Sequence, residues 1–536
     1  MSGRWFLFGM ALICACGLYA APHRAKLLHY GWDMTNAFEL AKNHRQMEES
    51  MPFDGVMFPL TGGGASTLYI WDGNPWPDNV FDDALASLKS CKFTRFTDNY
   101  VMTWISPGPV EWMDDNAWRV IASKFRIVAR VAREAGLKGI CFDPEPYQQF
   151  NWAYKPVGGR SFKAMQAVAR RRGREIMAEM AAEYPQMTFM AFWLLSTYRC
   201  RTGQPDPIFG LYSAFIDGLW DAVPPEMTIV DGCEGGYSLN TQSGTLRQVQ
   251  SIRKEHSYCV SPENRAKYRR QISAGFGFYL DPYVYHVPGW IEHDGTQLAT
   301  LFHNMNYLLS SADEYVWFYS EKHRMFAPEG QSIPWETKLP GLDLALRMAR
   351  HPENYIAEAM KKGGEGMIPN HWPNPDFDAS AESALKKPHR SDWRLLQGLP
   401  GYEAWFEGDN PPVAIADGKL EINGGIFVIA PIAVTGGNVF YLTVPFWGAE
   451  GVDLCGYVGF LNAQGVWIEQ DNAMTEARTP DGMRRLELLL GPAPDAAAQM
   501  VVVLRRVDLA KDAGPLTMGR PGAYRLDDLL PPLAKE

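Results

Sequence analysis

Between Lys26 and about residue 330 the chain repeats one unit eight times, a short apolar run followed by a longer stretch with the period of an amphipathic helix. The apolar runs are Lys26 to Asp33, Gly55 to Leu60, Arg95 to Met102, Gly139 to Glu145, Thr188 to Leu195, Met227 to Asp231, Gly275 to Leu280 and Glu314 to Glu321. Between them, Trp118 to Ala135 is helical by periodicity and Gly136 closes it. Ser161 to Tyr184 carries Phe162, Met165, Val168, Ile176, Met177 and Met180 on one face, and Leu246 to Ile272 is a basic helical region. Eight strand-helix units in about 300 residues predict an α/β fold, a (β/α)8 TIM barrel. The competing doubly wound open sheet is disfavoured, because no glycine-rich phosphate fingerprint follows the first strand.

From about residue 396 the texture changes to short alternating strands separated by Asp417-Gly418, Asn423-Gly424-Gly425, Gly436-Gly437 and Pro480-Asp481-Gly482 turns. Val439 to Phe446, Cys455 to Leu461 and Met500 to Arg505 are strand candidates, which predicts a C-terminal antiparallel β-sandwich domain. The expected division is 1–21 as a signal peptide, 22–365 as the barrel, 366–395 as a linker and 396–536 as the sandwich. In the leader, Arg4 precedes an apolar stretch from Trp5 to Leu18, and Ala20 and Ala21 suit cleavage. The expected location is therefore exported: periplasmic, cell-surface or secreted. Ile13-Cys14-Ala15-Cys16 also resembles a lipoprotein box that would place a lipid anchor on Cys16.

In a barrel, the C-terminal ends of the strands and the loops after them build the active face. The polar residues ending these runs are Asp33, Asp143, Glu145, Asp231, Glu234, Asp281, Ser320 and Glu321, an acid-rich mouth. Asp143 and Glu145 form the densest pair. Ile140, Cys141 and Phe142 lead into them, and Pro144 and Pro146 stop further ladder bonding. Residues i and i+2 share a side of a strand, so both carboxylates can face one cavity. Like charge raises the pKa of one partner, which suits general acid work by Glu145 with Asp143 assisting. The alternative is that both acids pair with a basic side chain such as Arg199 or Lys155.

The stretch Gly139-Ile140-Cys141-Phe142-Asp143-Pro144-Glu145 resembles the fourth-strand signature of family 18 chitinases and endo-N-acetylglucosaminidases, which ends D-x-E. That resemblance implies Glu145 as the general acid/base and Asp143 as the residue orienting a substrate acetamide that serves as nucleophile. It implies a retaining, substrate-assisted glycoside hydrolase acting on N-acetylhexosaminides. The sequence departs from the pattern at Cys141, where an earlier Asp is usual, and at Pro144, where an aromatic is common. Glu145-Pro146 also looks like the Glu-Pro that ends the fourth strand of the large clan of retaining barrel glycosidases. There the preceding residue is usually Asn and the nucleophile lies on the seventh strand, where this chain has Asp281. In that reading Glu145 pairs with Glu234 or Glu321. The remaining alternative is a noncatalytic glycan-binding protein.

Glu234, among Gly232, Gly235 and Gly236, is a candidate for sugar binding or for the second carboxylate, and Glu321 has the same standing. Trp317 is a candidate floor for a pyranose, or a core ring; Tyr319, Tyr237 and Tyr279 are candidate hydrogen-bond partners. Asp33, Trp32 and Asp281 complete the substrate-binding set, with Trp71, Trp76, Trp193 and Trp290 as further platforms. In the sandwich, Trp405, Trp447 and Trp467 are candidates for carbohydrate contact, with bracing of the barrel as the plainer role.

The net charge of −10 argues against nucleic acid or an acidic membrane surface as partner; a carbohydrate substrate is what the resemblance implies. Cys91, Cys141, Cys200, Cys233, Cys259 and Cys455 show no C-x-x-C spacing, and His286, His293, His303 and His323 have no ligand spacing. The acid-rich stretch Asp72 to Asp83 lacks an EF-hand pattern. No metal or cofactor is expected.

Overall fold

A computed structural model describes residues 24–146, 151–196, 208–285, 297–327, 330, 333–381, 393–406, 413–416, 419–424, 426–429, 431–448, 452–468, 472–478, 483–508 and 514–531. The leader with Cys16, and also Arg199, Cys200, His286, Trp290 and His293, lie outside the described residues.

The eight runs form parallel strands β1 (Lys26–Gly31), β2 (Gly55–Phe58), β3 (Tyr100–Trp104), β4 (Gly139–Asp143), β5 (Thr188–Ala191), β6 (Thr228–Asp231), β7 and β8 (Tyr315–Ser320). Strand β7 comes in two halves, Ile272–Ala274 and Phe276–Tyr279, separated by Gly275. The first half pairs with β6 and the second with β8, while β8 pairs with β1. The sheet thus returns on itself through one bent strand and closes as a (β/α)8 barrel. Its strands are buried on both faces, so they read as continuous apolar runs rather than alternating ones.

The helices after the eight strands are α1 (Ala37–Ser50), α2 (Asp82–Lys89), α3 (Asp115–Glu134), α4 (Phe162–Glu183), α5 (Tyr212–Ala222), α6 (Gln242–Arg253), α7 (Gln297–Ser311) and α8 (Leu342–Arg350). Their starts follow local chemistry: Asn36 accepts from the N–H groups of Phe38 and Glu39 at 3.0 and 3.1 Å, and Asp114 and Ser161 cap α3 and α4 in the same way. The basic helical region expected over Leu246 to Ile272 is broken into three: α6 ends at Arg253, a 3-10 turn spans Glu255–Cys259 and a short helix follows at Arg265–Gln271. Pro262 lies in the gap, where it has no N–H to continue an α ladder.

Two strands are displaced from their expected limits for a common reason. The third begins at Tyr100 rather than Arg95, because the N–H groups of Thr94, Arg95 and Phe96 all donate to Glu48 Oε1, at 2.7, 2.7 and 2.8 Å. The fifth ends at Ala191 rather than Leu195, because the N–H groups of Leu195 and Ser196 donate to Asp231 at 3.0 and 3.1 Å. A carboxylate in each case captures backbone donors that a ladder would need.

Residues after 393 build two antiparallel sheets. One runs in the order Arg394–Leu395, Tyr402–Trp405, Ile426–Ile429, Gln499–Asp508, Val452–Leu461, Asn472–Ala473. The other runs Val413–Ala416, Lys419–Ile422, Leu516–Met518, Phe440–Gly448, Arg484–Leu490, Thr475–Arg478. Leu442, Val444 and Phe446 of one share a core with Met500, Val502 and Leu504 of the other, as in a sandwich whose inner faces interdigitate. Trp372 and Phe377 also join that core, and Trp372 Nε1 donates to the Tyr402 hydroxyl at 2.9 Å.

The sandwich grips the barrel at α6 and α7. The N–H and hydroxyl of Ser243 donate to Asp495 at 3.1 and 2.9 Å, and the Tyr307 hydroxyl donates to the Ala493 carbonyl at 3.4 Å. His303 pairs with Asp527, whose carboxylate also accepts from Asn438 at 2.9 Å. Next to it, Asp528 accepts from His371 at 2.7 Å and from Arg525.

Candidate active site

Asp143 ends β4 in register with Trp104 of β3 and is buried to 1% exposure. Its Oδ1 accepts from the N–H of Glu145 at 2.9 Å, and the Pro144 carbonyl accepts from Trp152 Nε1 at 2.8 Å. Trp152 is itself sunk among Trp71, Trp112, Tyr212 and Phe215. The turn that delivers Glu145 is therefore anchored at both of its preceding residues, and Glu145 remains half-buried.

Glu234 arrives from β6. Asp231, fully buried, accepts from Leu195 N, Ser196 N, Ser196 Oγ and Cys233 N, which fixes the ends of β5 and β6 against each other. Cys233 then takes a left-handed conformation at φ 36°, and the Glu234 N–H donates to the Phe192 carbonyl at 3.0 Å. The reversal sends the Glu234 side chain to the indole of Trp193, which donates to it, and into the field of the two β4 acids. Burial first, then the charges of Glu145 and Asp143, push its carboxyl up to about 8, with the Trp193 hydrogen bond working against them. Three carboxyl groups from two strands thus meet in one mouth, and one keeps its proton at neutral pH.

An aromatic floor lies beneath them. Trp317 stacks on Phe192 with ring centroids 4.0 Å apart, meets Tyr237 edge-on at 5.3 Å and donates from Nε1 to the Gly232 carbonyl at 2.8 Å. Tyr319 stacks with Tyr30 at 5.5 Å and with Tyr237 at 6.0 Å, and meets Tyr279 at 5.2 Å. A Cβ on Gly277 would come within 2.7 Å of both Trp317 and Tyr237, so this floor exists only because that position has no side chain. At the rim, the Trp32 indole donates to the Tyr319 hydroxyl, which donates to Glu321 Oε1 at 3.0 Å.

These placements correct several sequence expectations. Trp317 is 1% exposed and has Phe192 on its face, so it supports the floor rather than offering a ring to a sugar. Tyr237 is likewise buried. Asp33 lies against His29 and accepts from Met325 N at 2.7 Å; burial alone would raise its carboxyl, but these partners hold it below the usual range. Asp281 is fully buried and accepts from the N–H groups of Glu321 and Lys322 at 3.1 and 3.2 Å. Burial and the Glu321 charge still push it up to about 6, against the two backbone bonds. Both Asp33 and Asp281 therefore staple loops; Asp281 is fully enclosed, whereas Asp33 also lines the cavity beside Trp32. Glu321 is exposed on the β8 side of the mouth, Trp32 is open at the rim, and Trp71 is core.

Two residues of the mouth escape a sequence reading. Tyr30 lies in register with Tyr319; burial, followed by the Asp143 charge, holds its hydroxyl above the usual range, opposed by a hydrogen bond from Trp104. Trp104 ends β3 beside Asp143. An aromatic at the tip of the neighbouring strand was the available signal for it. Among the described residues no group of His, Cys, Asp and Glu is arranged to hold a metal ion, Cys91, Cys141 and Cys233 are free thiols, and no helix is long and apolar enough to cross a membrane.

No protein-family model and no curated protein matches the sequence. Among solved structures, a trimodular GH5_4-subfamily endoglucanase matches 93% of this chain over 98% of its own, at 11% identity and a TM-score of 0.31. The 3-keto-D-glucoside 4-epimerase of E. coli matches 61% of this chain over 99% of its own, at 13% identity and a TM-score of 0.31. The CBM22-1–GH10 modules of a Clostridium thermocellum endo-1,4-beta-D-xylanase match 22% of each chain at 10% identity and a TM-score of 0.16. This chain thus spans about a fifth of the length of that xylanase structure, where 22% is covered. These distant neighbours are carbohydrate-active enzymes, hydrolases and an epimerase alike. Superpositions this loose decide nothing about the chemistry.

Proposed function

We propose that this protein is a glycoside hydrolase in which Glu234 is the proton donor, Glu145 the ionised partner and Asp143 the carboxylate that sets their charge balance. The observation that carries the reading is the meeting of these three side chains at the ends of β4 and β6, with Glu234 pushed up to about 8. Cleaving a glycosidic bond near neutral pH requires a carboxylic acid that still holds its proton and a negative group for the oxocarbenium-like transition state. Glu234 gives its proton to the leaving oxygen, the carboxylate of Glu145 stabilises the positive charge that develops at the anomeric carbon, and water adds there to complete the hydrolysis. The aromatic floor keeps the site dry below, which strengthens both effects. Action outside the cytoplasm belongs to this proposal and rests on the leader pattern alone.

A second reading follows the D-x-E resemblance: Glu145 is the acid, and Asp143 orients a 2-acetamido group of the substrate that attacks in place of a protein nucleophile. It is favoured by the lock on Asp143, whose Oδ1 is held by the Glu145 N–H in a buried position. Paired aryl glycosides with and without the 2-acetamido group separate the two, assayed with the parent, Glu145→Gln and Glu234→Gln. Turnover of plain hexosides lost in both variants supports the first. Turnover confined to acetamido sugars and surviving Glu234→Gln selects the second. If neither class nor any common polysaccharide is cleaved, the hydrolase reading fails and glycan capture without catalysis replaces it.

A further inference from the structure

We propose that the cavity between α1 and the loop after β8 is a second glycan subsite, which holds a neutral sugar unit of the same chain whose bond is cleaved over Glu145 and Glu234. This rests on the hydrolase reading and adds the substrate class, an oligosaccharide rather than a single glycosyl group. The cavity has a volume of about 580 Å³, within the range of small-molecule sites, and its walls include Trp32, Glu39, Lys42, Glu321 and Arg324.

Trp32 joins this cavity to the catalytic mouth. Its ring meets Trp104 edge-on at 6.1 Å, Trp104 stands in register with Asp143, and its indole N–H reaches the Tyr319 hydroxyl. Yet Trp32 is 60% exposed, while the other rings of the mouth are packed under neighbours. A large ring fixed at its edge and open on the side of a polar cavity is a stacking surface for the apolar face of a pyranose.

The charges of the wall select the ligand. Lys42 and Arg324 stand with Glu39 and Glu321, and among the described residues none of these four forms an ion pair with another side chain. Asp33 is already matched by His29, and Lys322 lies over the Tyr285 ring at 5.2 Å. An anion would meet Glu39 and Glu321, and a cation would meet Lys42 and Arg324. A hydroxyl both donates and accepts, so a neutral polyol satisfies ammonium, guanidinium and carboxylate together.

The test is calorimetric binding to the full chain carrying Glu145→Gln and Glu234→Gln, so that no ligand turns over. The probes are cello-, xylo-, manno- and chito-oligosaccharides of two and five units. In at least one series the pentasaccharide should bind about tenfold more tightly than the disaccharide. Adding Lys42→Ala with Arg324→Ala, or Trp32→Ala alone, should erase that gap. Disaccharide affinity should persist in the Lys42/Arg324 variant and so report an intact fold. A gap that survives these substitutions, or the absence of length dependence in every series, overturns the proposal. Because binding is read without turnover, a parent protein that hydrolyses nothing would sink the hydrolase reading while leaving this result to stand or fall separately.

Discussion

The backbone N–H of Glu145 donates to Asp143 Oδ1 at 2.9 Å, which makes the two acids after β4 one rigid unit rather than two independent side chains. Removing the acceptor and removing only its charge are therefore different experiments. Asp143→Ala frees the Glu145 turn and should lower kcat by roughly 10²-fold, the scale of a misplaced catalytic group. Asp143→Asn can keep an oxygen for the Glu145 N–H but removes one of the charges that raise Glu234. Its pH–rate profile should show the alkaline limb moved below about 8. An unmoved limb would separate Asp143 from Glu234.

Glu234→Gln should cost about 10²–10⁴-fold in kcat, as loss of a general acid does. In the parent, activity should fall as pH rises through about 8, where Glu234 gives up its proton. The same shift bears on stability with a definite sign. The folded value lies above the ordinary one of 4.5, so the unfolded chain ionises first and stability is lost as pH rises from about 4.5 to about 8. Gln does not ionise. The variant should therefore melt higher than the parent at pH 8 and no higher at pH 4, which thermal scans at the two pH values will read.

Gly277→Ala places a methyl group 2.7 Å from both Trp317 and Tyr237. Overpacking of this kind costs about 1–3 kcal/mol, and urea unfolding should register it. The floor under Glu234 would rise with it, since Trp317 also holds the Gly232 carbonyl. A drop in kcat larger than the stability loss explains at the assay temperature is expected.

Asp528 ties His371 and Arg525 together at the foot of the sandwich. Burial alone would raise its carboxyl, but hydrogen bonds from His371 and Arg525 outweigh it and hold the group below the usual range. A depressed value stabilises the fold above the unfolded pKa, and that contribution is lost as pH falls through the folded one. Asp528→Asn should therefore lower the melting temperature at pH 7 and matter progressively less below pH ~4.

The barrel was legible because eight periodic segments leave few ways to pair, and the acid tips of its strands were legible as residue types. Which acids serve a ligand was not. Asp33 and Asp281 look like Asp143 in the sequence, but each faces backbone N–H groups of the loop after β8, at Met325 and at Glu321 and Lys322. Trp317 reads as a platform until Phe192, supplied by a distant strand, covers its face. Strand ends failed for a similar reason, since Glu48 and Asp231 reach across to take the donors of β3 and β5 flanks. The importance of Glu234 depends on charges carried by β4, and no local pattern around Gly232 to Gly236 encodes that.

The bent strand β7 is where the ring of the barrel is joined, its two halves meeting different neighbours on either side of Gly275. The helices that the sandwich holds, α6 and α7, flank that strand in the chain, with the short helix Arg265–Gln271 between α6 and β7. The sandwich thus acts as a collar on the joint of the ring, and β6, which delivers Glu234, runs beside it. On the proposed reading, alignment of the three acids and the seating of the second layer become one mechanical property: loosening the collar should let Glu234 drift from Glu145 and Asp143.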